Sequence, residues 1–424
     1  MSGCNEYNSL SRRQMLKGAA AAGAALTMPA WMPNVVYGQG GSGRDVLIML
    51  FLGGGIDGLT LCVPHGDSRL YARRPNIAVP APDTGLATRA IDLNGFFGLP
   101  PSLAPLRDIF VDDKLLFVHA TGADKTYWSR SHFDAQAWME AGKTNDISVS
   151  TGWLGRHLAS IAPMSASAPL RAVGFDYGQM ETLRGGPKTL PVPYPEYYGY
   201  DGWYPNRNEM INWIKGAYGA TADPLKSAAT NAIATVDLLD QIDFARYQPA
   251  GGAIYPANSD IGRSLRATAA MLKNGVALEA IGINFGGWDT HDNQGSTVGY
   301  MHDRLTELGQ ALFAFYTDLT ASNKNNWVLV GMSEFGRNVI ENGGRGTDHG
   351  TGNAMLLMGN VLGGKVVSQW PGLRVDQLFE GQDLQVTIDY RDILAEIVKK
   401  RLKNDKIGTV FPGYNATFRG VVPA

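Results

Sequence analysis

Residues 46–52 read VLIMLFL, an unbroken apolar run that stops at the three glycines of residues 53–55. A run of this length between turn residues is typical of a strand buried on both faces, as in the parallel sheets of α/β proteins. Runs of the same character occupy residues 115–120, 170–175, 277–285 and 327–332. The sequence therefore predicts a mostly parallel sheet that begins with residues 46–52.

Helical stretches separate these apolar runs, at residues 131–142, 223–245, 261–273, 302–319 and 390–402. In the fourth stretch, Leu305, Leu308 and Leu312 fall on one face, which is the spacing of an amphipathic helix. Buried strands that alternate with such helices predict an α/β fold, with a mostly parallel sheet flanked by helices.

The N-terminal residues have the pattern of a targeting signal. Residues 11–17 read SRRQMLK, and a small, weakly apolar run follows at 18–30. That run is too short to span a bilayer, which needs about 20 apolar residues. We expect residues 1–38 to be a twin-arginine signal peptide, with cleavage after Ala30 or near Gly38. The protein is then exported already folded, to the periplasm or the extracellular space.

Composition bounds the rest of the chain. Residues 39–424 are expected to form a single α/β domain, with a Pro- and Tyr-rich loop or lid inserted near 185–204. The formal net charge of −2 gives no electrostatic basis for a nucleic-acid partner, and we expect no stable membrane span. Once Cys4 leaves with the signal, Cys62 has no intrachain partner for a disulfide.

Acidic and histidine side chains recur where the predicted strands end. In parallel α/β sheets, ligands bind beyond the carboxyl ends of the strands, and these residue types together bind zinc, manganese or magnesium. The candidates are Asp57, Asp289, His291, Glu334, Asp348 and His349. Three of them have a simpler interpretation: Asp57 in a turn, Asp289 capping a loop, and Glu334 in an ion pair with Arg337.

The predicted helix at 131–142 begins with a second candidate element, Ser129-Arg130-Ser131-His132. A serine at a helix N-terminus can act as a nucleophile, because the backbone N–H groups there stabilise anions. Ser131 with Asp134 three residues later also fits a helix N-cap. Both interpretations of Ser131 stay open at the level of sequence.

Seven short stretches together resemble one family of exported bacterial proteins, the domain of unknown function 1501. They are GIDGL at 55–59, RSHFDAQ at 130–136, GWLGR at 152–156, WDTH at 288–291, SEFGR at 333–337, GTDHG at 346–350 and DYRD at 389–392. The resemblance covers residues 45–413. The family is in turn distantly similar to the alkaline phosphatase and sulfatase superfamily, which implies an alkaline-phosphatase-like fold.

The superfamily places metals, usually two, beside a Ser, Thr or modified Cys nucleophile. The resemblance implies that metal is bound by Asp57, Asp289, His291, Glu334 and His349, with Asp348 beside the last. It implies Ser131, or else Ser129, as the nucleophile. Asp289 and His291, the expected ligand pair, are closer together in the sequence than is usual in the superfamily. No histidine accompanies Glu334. These departures favour a single harder metal or a degenerate site.

Two functions are consistent with these features. The first is an exported, metal-dependent hydrolase of phosphate or sulfate esters, acting on a small-molecule or glycan ester. It would use one or two divalent ions (Zn, Mn, Mg or Ca), Ser131 as nucleophile, and Arg130 or Arg337 to bind the anion. The second is a non-catalytic exported binding or assembly protein with a degenerate alkaline-phosphatase-like site and an exported protein partner.

Overall fold

The computed structural model describes residues 43–124, 129–144, 146, 148–199 and 206–424. The expected signal peptide and residues 200–204 of the expected lid lie outside the described residues. The described chain divides into two compact units. We call Tyr197–Ile242 the helical unit, and we call Tyr37–Glu196 together with Asp243–Ala424 the sheet unit.

Strands occur throughout the sheet unit. They are β1 Val46–Phe51, β2 Ile91–Asp92, β3 Gly98–Leu99, β4 Leu115–Gly122, β5 Ala172–Phe175, β6 Thr189–Pro191, β7 Ala280–Asn284, β8 Trp327–Met332, β9 Gly336–Arg337, β10 His349–Gly350, β11 Asn353–Gly359, β12 Lys365–Ser368 and β13 Ile388–Asp389.

Helices of the sheet unit are α1 Gly58–Leu61, α2 Arg69–Arg73, α3 Leu106–Val111, α4 His132–Ala141, α5 Trp153–Ser160, α8 Asp260–Lys273, α9 Tyr300–Ala321, α10 Tyr390–Lys400 and α11 Ile407–Val410. The helical unit contains α6 Arg207–Gly219 and α7 Leu225–Asp240. Short 3₁₀ turns lie at Pro82–Thr84, Pro101–Leu103, Glu181–Leu183, Pro195–Tyr197 and Val375–Gln377.

Within the described residues, nine strands form one sheet in the order β12-β4-β11-β8-β1-β7-β5-β6, with β13 beside β4. β1 pairs in parallel with both β7 and β8, and all six of its residues are buried. A strand covered on both faces needs apolar side chains at every position, which explains the unbroken run at 46–51. The predicted mostly parallel α/β fold is therefore confirmed.

β11 is the exception to the parallel arrangement, because it runs antiparallel to both β4 and β8. This reversal brings the start of β11 to the edge at which β1, β7 and β8 end. The register sets Phe51 opposite both Asn284 and Met332, so the strand ends are level. The loops that leave β1, β7 and β8, and the chain that enters β11, consequently meet at this carboxyl edge.

One buried acid on α4 couples the stability of the fold to pH. Glu140 is 2% exposed and accepts a hydrogen bond from Gln136 Nε2 at 3.1 Å. Burial, reinforced by the nearby acids Glu181 and Asp176, raises the pKa of Glu140 to about 7. The folded state therefore holds this proton more tightly than the unfolded state does.

We expect the free energy of unfolding to fall by up to about 3 kcal/mol as the pH rises from about 4.5 to 7, because Glu140 must ionise while buried. Glu140→Gln should flatten this part of the profile and be more stable than the wild type at pH 8. Urea unfolding at several pH values measures both effects. The exposed Asp303→Asn serves as the control and should keep the wild-type slope, whereas an unchanged slope in Glu140→Gln would contradict the assignment.

Candidate metal centre

Three histidine rings and one carboxylate meet at the carboxyl edge of the sheet. His132 is the first residue of α4, Asp289 lies in the loop after β7, and His349 opens β10. One ligand atom from each of these three residues lies within 4.8 Å of the other two. His291 joins them, since its Nε2 is 2.9 Å from Asp289 Oδ1 and 2.9 Å from His349 Nε2.

The hydrogen bonds on the far side of each ring favour one tautomer. In all three rings, Nδ1 contacts an oxygen that acts as an acceptor, and a proton on Nδ1 leaves the lone pair of a neutral ring on Nε2. The contacts are His132 with Glu334 Oε1 at 2.7 Å, His291 with Asp348 Oδ1 at 2.7 Å, and His349 with the Arg130 carbonyl at 2.8 Å.

These lone pairs lie where a cation would satisfy them. The Nε2 atoms of His291 and His349 face each other at 2.9 Å, and His349 Nε2 is 3.1 Å from Asp289 Oδ1. The Nε2 of His132 is buried without a hydrogen-bond partner among the described residues, 3.5 Å from Asp289 Oδ2. Ligands about 2.0–2.1 Å from a tetrahedral ion are about 3.3 Å from each other, so the donor set fits one divalent metal.

Arg337 fixes the carboxylate of this group. Its guanidinium donates to Asp289 Oδ1 at 2.7 Å, and to the carbonyls of Gly55 at 2.6 Å and Thr347 at 2.9 Å. Burial raises the pKa of Asp289, but the hydrogen bond from Arg337 and the proximity of His349 and His291 outweigh it and bring the pKa to about 2. Asp289 is therefore ionised at neutral pH.

His349 is poised as a neutral ring. Partial burial lowers the pKa of His349 below its ordinary value, although the Arg130 carbonyl and Asp289 act in the opposite direction. A neutral imidazole is the form that binds metals. The pKa of Asp348 is also lowered, chiefly by its hydrogen bond with His291, so this carboxylate accepts the Nδ1 proton of that ring.

Glu334 lies behind His132. Its carboxylate accepts hydrogen bonds from His132 Nδ1 at 2.7 Å and from the backbone N–H of Gly54 at 2.8 Å. The Ser333 hydroxyl donates to the other oxygen at 2.8 Å. A carboxylate that holds the outer nitrogen of a ligand histidine orients that ring and raises its basicity. In this structure Glu334 thus supports a candidate ligand, and its expected role as a direct ligand stays a prediction.

The structure places Asp57 beneath the group of rings. The buried carboxylate forms an ion pair with Arg74 and accepts hydrogen bonds from Thr60 Oγ1 at 2.7 Å and Gln294 Nε2 at 2.8 Å. Burial raises the pKa of Asp57, but Arg74 in particular lowers it, and the net effect is downward. With these bonds made, Asp57 contacts none of the four metal-site residues within the described chain.

Gln294 connects the Asp57 carboxylate with the two loops that carry candidate ligands, here called the site loops. Its Oε1 accepts from Thr290 Oγ1 at 3.0 Å and from Thr347 Oγ1 at 2.6 Å. Thr290 lies between Asp289 and His291, and Thr347 lies two residues before His349. The Asp57–Gln294 pair therefore holds the loops that carry three of the four candidate ligands.

The predicted nucleophiles lie at the start of α4. Ser131 is the N-cap, and its Oγ accepts from the backbone N–H of Asp134 at 3.4 Å. Ser129 Oγ accepts from the Ser131 N–H at 3.1 Å and is 3.4 Å from Asp134 Oδ2. Among the described residues, neither hydroxyl hydrogen-bonds to the three rings or to Asp289. The nucleophilic role of Ser131 stays a prediction.

The two predicted anion-binding arginines differ in exposure. Arg337 is 1% exposed, and each nitrogen of its guanidinium donates to one of the protein groups given above. The side chain of Arg130 is 46% exposed, and its Nη2 contacts Glu380 at 3.0 Å and Asp383 at 3.5 Å. Of the two, Arg130 is accessible to a ligand from solvent.

The sequence reasoning missed His132. A signal was available, since His132 follows Ser131 at a helix start beyond a predicted strand, but only Ser129, Arg130 and Ser131 of that stretch were given roles. With His132 added, and with Asp57, Glu334 and Asp348 hydrogen-bonded to other groups, the candidate donors are three imidazoles and one carboxylate. Such a set suits borderline metals such as zinc better than magnesium or calcium, which prefer oxygen ligands.

Comparisons with known families agree with two expectations from the sequence. Residues 208–406 match the family described as "Protein of unknown function (DUF1501)", which confirms the predicted resemblance. Residues 9–29 match the twin-arginine translocation signal, so the protein is exported across the membrane in folded form. In the described part of the chain, no helix is both long and apolar enough to span a membrane.

The chain is also similar to several solved structures. They include Ps i-CgsB (10% identity, 88% of this chain and 75% of that one, TM-score 0.42) and the PsFucS1 sulfatase from Pseudoalteromonas sp. (11%, 97% and 74%, 0.39). A third is a protein of the alkaline phosphatase superfamily from Vibrio parahaemolyticus (8%, 86% and 73%, 0.33). Among curated proteins, none matches this chain.

The position of Asp57 leads to a prediction that separates support from metal binding. Asp57→Asn should lower the free energy of unfolding by about 3–5 kcal/mol, because it leaves Arg74 buried without its counter-charge. The amide oxygen of Asn can still accept from Thr60 and Gln294, so the site loops stay in place and the folded fraction should bind metal in the wild-type ratio. Urea unfolding and metal analysis of the folded protein test the two halves, and loss of metal with normal stability would instead make Asp57 a ligand.

Proposed function

We propose that this protein is an exported, metal-dependent hydrolase of phosphate or sulfate esters, with one divalent ion held by His132, Asp289, His291 and His349. The observation that carries the proposal is the set of three rings whose Nδ1 atoms are all engaged by acceptors. Their Nε2 lone pairs turn toward one another and toward an ionised carboxylate. Lone pairs that face each other and a carboxylate repel, and a bound divalent ion would remove that repulsion.

Zinc is the ion that this donor set favours. Three imidazole nitrogens and one carboxylate oxygen are common zinc ligands, and manganese is also compatible with them. Calcium and magnesium prefer six or more oxygen ligands and are disfavoured here. Of the expected one or two ions, we propose one. Asp57 and Glu334, which a second ion would need as ligands, use their oxygens in other hydrogen bonds.

The chain's own residues would prepare the site for an ester. A divalent ion bound there supplies Lewis-acid polarisation of an ester oxygen. Glu334 and Asp348 hold the ligand rings in one tautomer, and Arg337 holds Asp289 ionised. Arg130 can exchange its surface contact with Glu380 for a phosphoryl or sulfuryl group, to which a guanidinium binds with two parallel hydrogen bonds.

Ser131 is the proposed nucleophile, with Ser129 as the alternative. It caps a helix of ten residues, whose N-terminus favours negative charge on a neighbouring oxygen. The hydroxyl oxygen accepts a long hydrogen bond from the N–H of Asp134 at 3.4 Å and keeps a second lone pair for attack. The substrate is proposed to be a small-molecule or glycan ester.

A second candidate function is an exported binding or assembly protein that holds one metal without catalysis and acts with an exported partner. The serine contacts favour it, because Ser129 and Ser131 are both engaged in capping α4. The same metal site serves either function. The distinction therefore depends on turnover and not on metal content.

Metal content is the first test. We expect the purified exported protein to retain about one zinc ion per chain after dialysis against zinc, manganese, magnesium and calcium in competition. An ion at 100 times its dissociation constant should stabilise the fold by about 2.7 kcal/mol. Elemental analysis and thermal unfolding with and without chelator provide the measurements.

His132→Ala should weaken zinc binding by at least about tenfold, because it removes one ligand and releases Glu334. His65→Ala is a matched control, since His65 pairs with Asp92 outside this group of rings. The control should keep the wild-type affinity. No stoichiometric metal in the wild type after supplementation would overturn the proposed metal centre.

Turnover separates the two candidate functions. On a panel of phosphate and sulfate esters with zinc present, the wild type should hydrolyse at least one, and Ser131→Ala should lower kcat by about 10²-fold or more. Ser129→Ala should have a smaller effect. Equal turnover by Ser131→Ala would remove this serine from the mechanism, and stoichiometric zinc without turnover on any ester would support the binding function.

A further inference from the structure

Two of the stretches singled out in the sequence, GWLGR at 152–156 and DYRD at 389–392, contribute no ligand to the proposed metal centre. Both nevertheless contact the far end of α4, the helix whose first residue is His132. Arg156 donates to the Ala141 carbonyl at the last residue of α4, and the Tyr390 hydroxyl is 3.5 Å from the Trp138 carbonyl. Through these contacts, residues at the C-terminal end of α4 can influence the position of His132 at its N-terminal end.

The position of α4 depends strongly on its two ends. Only Ala135, Met139 and Glu140 of its ten residues are buried, and Phe133 is 89% exposed. A helix with so little buried surface has few side-chain contacts along its length to fix its axis. At the N-terminal end the fixing contact is the hydrogen bond between His132 and Glu334.

At the C-terminal end, Arg156 is the fixing contact. The last carbonyls of a helix lack intrahelical partners. Those of Trp138 and Met139 accept from the N–H groups of Lys143 and Gly142, at 3.1 Å and 3.0 Å. The Ala141 carbonyl accepts from Arg156 Nη2, where a cation also complements the helix dipole.

The same guanidinium reaches two other segments. Arg156 Nη2 donates to the Val410 carbonyl at 2.6 Å, and Nη1 contacts both oxygens of Thr151. Arg156 therefore ties the end of α4 to the end of α11 and to the turn before α5. Close packing supports this junction: a Cβ on Gly142 would be 2.8 Å from Trp153 Cβ and 2.9 Å from the Phe411 ring.

DYRD secures the segment to which Arg156 is tied. Asp392 accepts from the Tyr414 hydroxyl at 2.7 Å, from the Thr417 N–H at 2.7 Å and from Arg419 Nε at 2.9 Å. These bonds hold the chain that follows α11 against α10. The carbonyl at Val410 is consequently a fixed point for Arg156.

We propose that Arg156 is a positioning residue for the metal centre: it fixes the axis of α4 and thereby the place of His132 Nε2. The inference rests on the proposed metal function. Ten residues of helix span about 15 Å, so a tilt of about 4° about the far end displaces His132 by about 1 Å. Metal ligands must be held within about 0.5 Å, so a displacement of this size matters.

The test uses Arg156→Met in the full exported protein. Zinc affinity, measured by chelator competition, should fall by about tenfold or more. Cobalt in place of zinc should lose the intense visible bands of a tetrahedral site as His132 moves out of reach. Arg156→Lys keeps the charge but not the fork of donors, and should show an intermediate loss.

A second measurement needs no metal. The protein has seven histidines, so labelling their rings with ¹⁵N gives few signals, and His132→Asn identifies that of His132. In the metal-free wild type, His132 should show the Nδ1-protonated tautomer set by Glu334. In Arg156→Met it should show a mixture of tautomers as that hydrogen bond loosens.

Arg401→Met is the matched control. Arg401 also fixes a backbone end, through its bonds to Asp45 at 2.7 Å and 3.1 Å, next to the start of β1. Arg401→Met should lower the free energy of unfolding, yet keep the zinc affinity within twofold of the wild type and leave the His132 tautomer unchanged.

The outcomes separate the inference from the proposed function. Wild-type affinity and an unchanged His132 tautomer in folded Arg156→Met would overturn the positioning role, whatever the loss of stability. If Arg156→Met does not fold, Arg156→Lys decides by the same two readouts. If the wild type binds no zinc, the metal function fails, and the tautomer measurement alone decides whether Arg156 positions His132.

Discussion

The buried carboxylate of Asp57 connects the sheet to the loops that form the site. It lies just beyond β1, where it is paired with Arg74 and bound by Gln294. Gln294 in turn accepts from Thr290 and Thr347, one on each site loop. Because a buried charge is tolerated only when it is paired and fully hydrogen-bonded, all these partners must stay in place together. The geometry of the rings above them depends on that requirement.

The sheet could be predicted well from the sequence because a strand buried on both faces consists almost entirely of apolar residues. β1, β4, β7 and β8 fall within one to three residues of the apolar runs, and the mostly parallel fold is confirmed. The reversed direction of β11 could not be predicted, since an apolar run has the same composition in either direction. The short strands β6, β12 and β13 were missed because they are only partly buried or too short for a pattern.

The candidate site was harder to predict than the sheet, because it depends on which hydrogen bonds form between distant loops. Sequence placed Asp289, His291, Asp348 and His349 near the same edge, and the structure brings these four together. It could not show that Asp57 is bound by Arg74, or that Glu334 faces Nδ1 of His132. Both acids look like ligands when only residue type and position after a strand are considered. In the structure Asp57 is bonded to Arg74 and Gln294, and Glu334 to His132, so direct metal binding by either acid stays a prediction.

The candidate ligand atoms come from a helix start at residue 132, a loop at 289–291 and a short strand at 349–350, which adjoin only when the sheet is complete. No single helix, strand or loop among the described residues contains the whole set. An ion that needs all four side chains would therefore be retained only by molecules that have finished folding. For a protein that crosses its membrane already folded, such retention would distinguish export-ready molecules from incomplete ones without any separate inspection of their surface.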